Sequence, residues 1–311
     1  MVMALPLFLS DYPLHLFTIS GIWIILALSL CLLQGYIGEI SMGHATFFGI
    51  GAYCSVFMTM MGGVSFWLAL PASGLVAMFF GFFIGLVSLR LRGPYFGICT
   101  LGFAEVFRMI LVNWSSVSGG PDGITKIPPP DAIVLPFIGT IAFDTKIACY
   151  YLIYGFVIVT IIAVQRIVGS LMGYAITAVR EDQDYAESVG IDTMKWKRLI
   201  FSLSAFFAGI AGSLFAHYVH FISPSSFSVS ESFDLVIMIV IGGTGTIIGP
   251  VIGAVLLTLI PELLHAIKDY RMLIYGAILV VMVMYAPGGI AGLIKSARDR
   301  MRRGPAADKA G

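Results

Sequence analysis

S-L-M-G-Y-A-I-T-A-V-R-E-D-Q-D-Y-A-E-S-V-G-I-D-T-M-K-W-K-R, residues 170–198, is the longest polar interruption with helical character in an otherwise apolar sequence. Ile176, Val179, Ala186 and Val189 recur at helical spacing or its multiples, and Glu181, Asp182, Asp184 and Glu187 fill the polar positions between them. Gly190 is placed to stop that helix, and Asp192 to cap the next one. Apolar runs at 147–165 and 199–222 flank the stretch. Each approaches the twenty or so residues that cross a bilayer, so the stretch reads as a short amphipathic helix between two membrane spans. By itself it is either a docking element for a soluble partner or an ordinary solvated loop helix.

Composition makes the membrane reading general. Of 311 residues, 59% are hydrophobic and 11% charged, against about 25% charged in soluble domains. Lipid offers the backbone no hydrogen-bond partners, so the chain must cross as helices or as a closed barrel. The apolar runs are continuous rather than alternating, which selects helices. They lie at 16–37, 40–61, 66–88, 95–113, 147–165, 199–222, 233–246, 247–266 and 271–287, with glycines interrupting 40–61 and 233–266. The expected fold class is therefore all-α integral membrane, a polytopic bundle of about 8–10 transmembrane helices with Gly-broken segments.

Lysine and arginine orient the bundle. Arg90 and Arg92, five residues of the 166–198 region, and six of the C-terminal tail place thirteen basic residues on one side; Lys126, Lys146, Lys268 and Arg271 lie opposite. Nine crossings with the N-terminus outside and the C-terminus inside satisfy all of these, and eight or ten remain open. The extracytoplasmic loop 114–146 carries S-G-G-P-D-G and the run Pro128-Pro129-Pro130; its apolar patch 133–138 is too short to span and reads as re-entrant or surface-lying. The N-terminus has no basic region of the kind that opens a cleaved signal peptide. Cys31, Cys54, Cys99 and Cys149 lack metal-ligand spacing and read as small buried hydrophobes.

No phosphate-binding loop, zinc-hydrolase helix or nucleophile elbow occurs in the sequence. Transport against a gradient would then draw energy from a coupled ion or from a separate subunit. Two glycine-rich stretches are the candidates for a pathway: 38–51, with Gly38, Glu39, Ser41, Gly43 and His44, and 242–250, with Gly242, Gly243, Gly245, Gly249 and Pro250. At corresponding points of two halves they suggest broken helices around a translocation route, or small residues that merely let helices approach. Glu105 and Arg108 are the sharpest intramembrane charges. At 1.5 Å per residue Glu105 lies about 15 Å from Tyr95, near mid-bilayer. The two share a helix face and can pair, for gating or for structure, and they must face protein or water. Glu39 and His44 are placed near the cytoplasmic interface.

Five blocks now carry a resemblance: G-E-I-S-M-G-H-A-T-F-F-G-I-G-A-Y (38–53), L-R-G-P-Y-F-G-I-C-T-L-G-F-A-E-V-F-R (91–108), N-W-S-S-V-S-G-G-P-D-G-I (113–124), A-V-R-E-D-Q-D-Y-A-E-S-V-G-I (178–191) and G-G-T-G-T-I-I-G-P-V-I-G-A (242–254). In this order, from about Gly21 to Leu293, the chain resembles the permease subunits of branched-chain amino-acid ABC importers, type II importer-like, specifically the M-type partner. The resemblance implies a single transmembrane permease domain over 1–288, with a cytoplasmic coupling loop at 170–198, and a basic cytoplasmic tail over 289–311. It implies a multi-pass protein of the bacterial inner membrane, partnered by a second permease subunit, two cytosolic ATP-binding subunits and an extracytoplasmic solute-binding protein, with no nucleic acid. ATP and Mg would sit on the partner subunits, and this chain would bind no cofactor or metal and catalyse nothing. Arg180, Glu181, Asp182, Ala186, Glu187 and Gly190 match the family's ATPase-coupling element. Tyr174 departs from the basic residue common in the family, and the proline run at 128–130 has no family assignment. A same-family permease for urea, short amides or another polar solute, and an ion-coupled secondary transporter, are the alternatives.

Overall fold

The computed structural model describes residues 10–135, 139–143, 145–263 and 288–293, together with residues 6, 276 and 284. Five helices are long and apolar enough to cross a membrane: α1 (Asp11–Gln34), α3 (Phe66–Ser88), α4 (Pro94–Asn113), α6 (Lys146–Val168) and α9 (Thr193–Val219). Shorter apolar elements complete the described bundle. They are α2 (Ala45–Val56, prolonged by a π-helical turn over Phe57–Met61), α10 (Val229–Gly242) and α11 (Ile248–Leu263). α5 (Ser115–Ser118) closes the outer end of α4, while α7 (Leu171–Glu181) and α8 (Gln183–Ser188) form the cytoplasmic loop. The expected ninth run, 271–287, falls almost wholly outside the described residues.

Burial separates two kinds of span. In the hydrophobic windows of α1 and α9, 78% of residues are buried within the chain, against 28–33% for α3, α4 and α6. The first pair is the core; the others are the perimeter. α9 packs against α1, α2 and α3, and small residues allow the close approach. A methyl group built at Gly51 would collide with the Gly209 backbone, one at Gly212 with the Phe48 carbonyl, and one at Gly209 would lie 2.8 Å from the Ser73 carbonyl. With no hydrophobic drive between helices in lipid, such backbone proximity supplies the van der Waals contact that holds them.

The outer loop is tied down by hydrogen bonds as well as by burial of Ile127 and Phe143. β1 (Ile124–Thr125) pairs antiparallel with β4 (Phe221–Ile222). The Pro128 carbonyl lies 2.7 Å from His217 Nδ1, and Asp131 accepts from Ser65 Oγ and the Phe66 N–H, both at 2.7 Å, capping α3. The patch expected to be re-entrant or surface-lying contributes instead to a hairpin, β2 (Ile133–Leu135) against β3 (Gly139–Ile141). β-branched residues followed by Pro136 and Gly139 carry that hairpin signal.

Polar contacts at both ends agree with the orientation read from the basic residues. Lys146 Nζ lies 3.6 Å from Asp11 Oδ2, joining the outer starts of α1 and α6. Arg92 lies 3.2 Å from Asp184, bringing the α3–α4 turn beside the cytoplasmic loop. Near the C-terminus Gly289 packs on Gly243, and residues 289–293 form a helical turn.

Candidate functional site

The cytoplasmic loop is two helices rather than the one its periodicity suggests. At Asp182 the backbone turns extended (φ −156°, ψ 110°), and the side chain accepts from the Tyr185 N–H at 2.9 Å, capping α8. Gly190 then adopts φ +88°, and Asp192 accepts from the Lys195 N–H at 2.9 Å to cap α9. Ile176, Val179 and Ala186 are buried as the apolar spacing requires. Val189 is not: it stands exposed just before the glycine turn. The outer surface of the loop carries Leu171, Tyr174, Tyr185 and Val189 as exposed apolar tips, with Glu181 and Asp184 among them. Apolar tips on a solvated helix pair, rimmed by charge, are the anatomy of a protein contact.

The inner surface is a polar joint. Arg180 Nη1 donates to the Gly35 carbonyl at 2.7 Å, and Nη2 reaches Glu181 at 2.6 Å. The arginine stem passes over Gly38, where an added methyl would lie 3.0 Å from Cγ, and its guanidinium sits beside Gly245, where the corresponding distance is 3.3 Å. Both glycines have positive φ, +85° and +77°, so a side chain at either would be strained as well as crowded. Arg180 therefore joins both glycine-rich stretches to the loop. A second tie runs beside it. Lys197 Nζ lies 2.6 Å from Glu39 Oε1, with side chains only 5% and 8% exposed, and also donates to Gln183 Oε1 at 2.9 Å. This buried pair links the start of α9, the start of α8 and the segment leading into α2.

Of the six residues expected to contact an ATPase, the structure thus divides the set. Glu181 remains on the solvated surface. Arg180 reaches inward, Ala186 is buried, Asp182 is a cap and Gly190 a turn. Glu187 accepts from Thr193 Oγ1 at 2.5 Å and from Gln183 Nε2 at 3.1 Å. Those bonds, the threonine's first, hold its carboxyl below its ordinary value. Lys197 escaped the sequence reading because its partner lies 158 residues away.

Three glycines of the two stretches stand against neighbouring backbone. A methyl at Gly43 would collide with the Thr100 carbonyl of α4; at Gly242 it would meet Gly249, and at Gly249 the Gly243 carbonyl. Pro250, buried, lies in the first turn of α11, where its missing N–H costs no helix bond. His44 Nε2 lies 2.7 Å from Ser29 Oγ, five residues from the end of α1, so its ring is fixed inside the bundle. Ser41 Oγ, His44 Nδ1 and Thr46 Oγ1 are buried along the same break, with no hydrogen-bond partner in the chain. Glu105 and Arg108 form their ion pair: Arg108 Nε lies 3.0 and 3.2 Å from the two carboxylate oxygens, and Nη2 also bonds Oε1.

The described residues form a helical membrane bundle with two glycine breaks and a polar joint beside them, the architecture of a polytopic membrane transport subunit. The chain belongs to the branched-chain amino acid transport system permease component family, whose model matches residues 12–283. It is 34% identical over 307 residues to the high-affinity branched-chain amino acid transport system permease protein LivM of Escherichia coli (strain K12), covering 93% of this chain and 72% of that protein. Against LivM of Salmonella typhimurium strain LT2 the identity is 35% over 304 residues, with 92% and 72% covered. The autoinducer 2 import system permease protein LsrC of Yersinia enterocolitica is more distant, 28% over 241 residues, with 74% and 61% covered. No solved structure matches the chain. It is thus an integral membrane, non-catalytic permease of the branched-chain amino acid ABC transporter family; the amide, urea and ion-coupled alternatives are not favoured.

Proposed function

We propose that this chain is one of two permease subunits in a bacterial inner-membrane importer, driven by two cytosolic ATPases that hold ATP and Mg, and supplied by an extracytoplasmic binding protein. Its cargo is leucine, isoleucine and valine. The observation that carries this reading is the two-sided loop. Its outer face offers Tyr185, Leu171 and Glu181 to a soluble partner, while its inner face is tied to the Gly35 carbonyl by Arg180, which lies against Gly38 and Gly245 of the two breaks, and to the approach to α2 by Lys197. A push on the outer face therefore reaches the breaks without passing through flexible chain, and alternating access follows from moving them.

The test separates the two faces. Tyr185→Asp combined with Glu181→Lys is expected to abolish co-purification of the ATPases while the permease still inserts. Arg180→Ala is expected to retain the ATPases yet lower ATP-driven leucine uptake about tenfold in proteoliposomes with binding protein. Normal ATPase recovery with the outer-face double variant would refute the docking assignment. Leucine uptake that needs an ion gradient but no ATP would overturn the whole reading.

A further inference from the structure

α4 has an exposed face that lipid cannot solvate. Glu105 and Arg108 sit on it with side chains 39% and 31% exposed; Glu105 lies about 15 Å from the cytoplasmic end of the helix, half of a 30 Å hydrocarbon core, and Arg108 about 5 Å further toward the outer end. A charge at that depth costs at least about 2.5 kcal/mol even on the lenient insertion scales. Arg108 does not relieve the cost by reaching toward the outer surface, as a lone arginine would; it folds back onto Glu105 through Nε and Nη2. A guanidinium carries five N–H groups, and among the described residues Arg108 finds no acceptor besides Glu105. Its remaining N–H groups have no acceptor among the described residues.

The other perimeter helices provide the contrast. The exposed face of α3 presents Leu75, Phe79 and Phe83, and that of α6 presents Ile158, Val159 and Ile162. Those side chains are apolar, although each face also borders a groove, of about 720 Å³ on α3, edged by Lys195 and Arg198, and about 590 Å³ on α6; what sets α4 apart is an ion pair within its own exposed face. On α4 the ion pair borders a shallow groove of about 560 Å³ lined by Gly102, Glu105, Val106, Met109, Ile110 and Asn113. Gly102 makes its floor, with no atom of the chain within 4 Å of where a side chain would begin. A small residue on an exposed helix face, three residues before a polar pair that nothing else described covers, is the pattern of a membrane helix–helix contact. The groove is too apolar in its remaining lining to be a water-filled wall.

We infer that this α4 face is the contact surface for the second permease subunit, which lays a membrane helix over Gly102 and presents acceptor oxygens (main-chain carbonyl, hydroxyl or amide) to Arg108. The inference rests on the two-permease reading above, and the experiment keeps the two apart. Val106→Cys and, as the lipid-facing control, Leu75→Cys are placed in an otherwise cysteine-free chain that retains uptake, co-expressed with the second permease and oxidatively cross-linked against single cysteines on its helices. A cross-link to the second permease from Val106→Cys and none from Leu75→Cys is the expected result. The reverse pattern, with the second permease still co-purifying, overturns the face and leaves the two-permease reading standing. Rapid modification of Val106→Cys by a membrane-impermeant thiol reagent without any cross-link assigns the face to an aqueous passage and overturns the contact. Cross-linking only between two copies of this chain, or an active complex lacking a second permease, removes both readings. In parallel, Gly102→Leu, which meets no atom within the chain, is expected to lower recovery of the second permease at least tenfold while the subunit's own insertion is unchanged.

Discussion

Two acid–base pairs cross this molecule at different places, and they solve opposite problems. Glu39 and Lys197 are sealed inside the chain, come from elements 158 residues apart, and share Gln183 as a third partner. Glu105 and Arg108 come from one helix, three residues apart, and are left open on its outer face. The sealed pair holds separate elements in register. Among the described residues the open pair joins no two elements; its geometry lowers the cost of two charges on an exposed helix face. Enclosure by the chain, not the mere presence of an ion pair, distinguishes an internal joint from a contact site.

Breaking the sealed pair on one side is expected to have the largest effect. Glu39→Gln leaves the Lys197 ammonium buried without its counter-charge, a change worth about 3–5 kcal/mol. The expected outcome is a sharp fall in folded permease recovered from membranes, with ATP-driven leucine uptake below a tenth of wild type. Replacing both partners, Glu39→Leu with Lys197→Met, removes the charge imbalance and is expected to restore folding more than either single change does. Uptake should stay low in that double variant, because the tie from α9 to the approach of α2 is gone. Recovery of full uptake by it would show that the pair acts only in stability. By contrast Glu105→Gln, which leaves Arg108 without its counter-charge on an open face, should lower recovery of the isolated subunit less than Glu39→Gln does, since among the described residues neither charge is bonded to another element.

The two glycines of the α4 neighbourhood sharpen the same comparison at smaller scale. Gly43 faces inward: any Cβ there collides with the Thr100 backbone, so Gly43→Ala forces α2 and α4 apart and is expected to cost about 1–3 kcal/mol, the usual range for overpacking. Gly102 faces outward into open space, so Gly102→Ala should leave the unfolding midpoint of the isolated subunit in detergent unchanged or slightly raised by better helix propensity. Equal destabilisation by the two substitutions would erase the distinction between inner and outer faces of α4.

Much of this was legible in the sequence because it is local. Continuous apolar runs gave the long spans, glycine clusters marked the broken ones, and the i,i+3 spacing of Glu105 and Arg108 announced their pairing. Asp192 was readable as a cap from its position before the apolar run. Asp182 obeys the same capping rule, but the periodicity running through it from Ile176 to Ala186 suggested one helix and hid the break. Val189 shows the limit of counting positions: once the helix restarts at Gln183, its phase no longer follows that of Ile176. The inward turn of Arg180 and the partnership of Lys197 with Glu39 depend on which loops the bundle brings together. Charge patterning assigned all these cations to the cytoplasmic side, and nothing in their neighbours distinguishes a solvated lysine from one that is sealed 158 residues away against a glutamate.

The smallest expected effect lies on the solvated edge of the sealed joint. Glu187 is exposed, and its carboxyl is held below the ordinary value of 4.5 by hydrogen bonds from Thr193 and then Gln183. A depressed carboxyl stabilises the folded loop above the unfolded value and loses that contribution as pH falls through the lower, folded one. The α8–α9 connection should therefore hold its protection against hydrogen exchange at neutral pH and lose a modest part of it only below about pH 4.5. Glu187→Gln, which cannot ionise but keeps a side-chain oxygen as acceptor, should flatten that acid limb over residues 183–193 while leaving exchange in α9 itself unchanged. The same acid limb in wild type and Glu187→Gln would assign the loosening to another carboxylate of the loop. An effect of the Gln variant that spread into α9 would mean that the exposed bonds of Glu187 and the sealed bonds of Lys197 act as one unit, and that the joint extends to the surface.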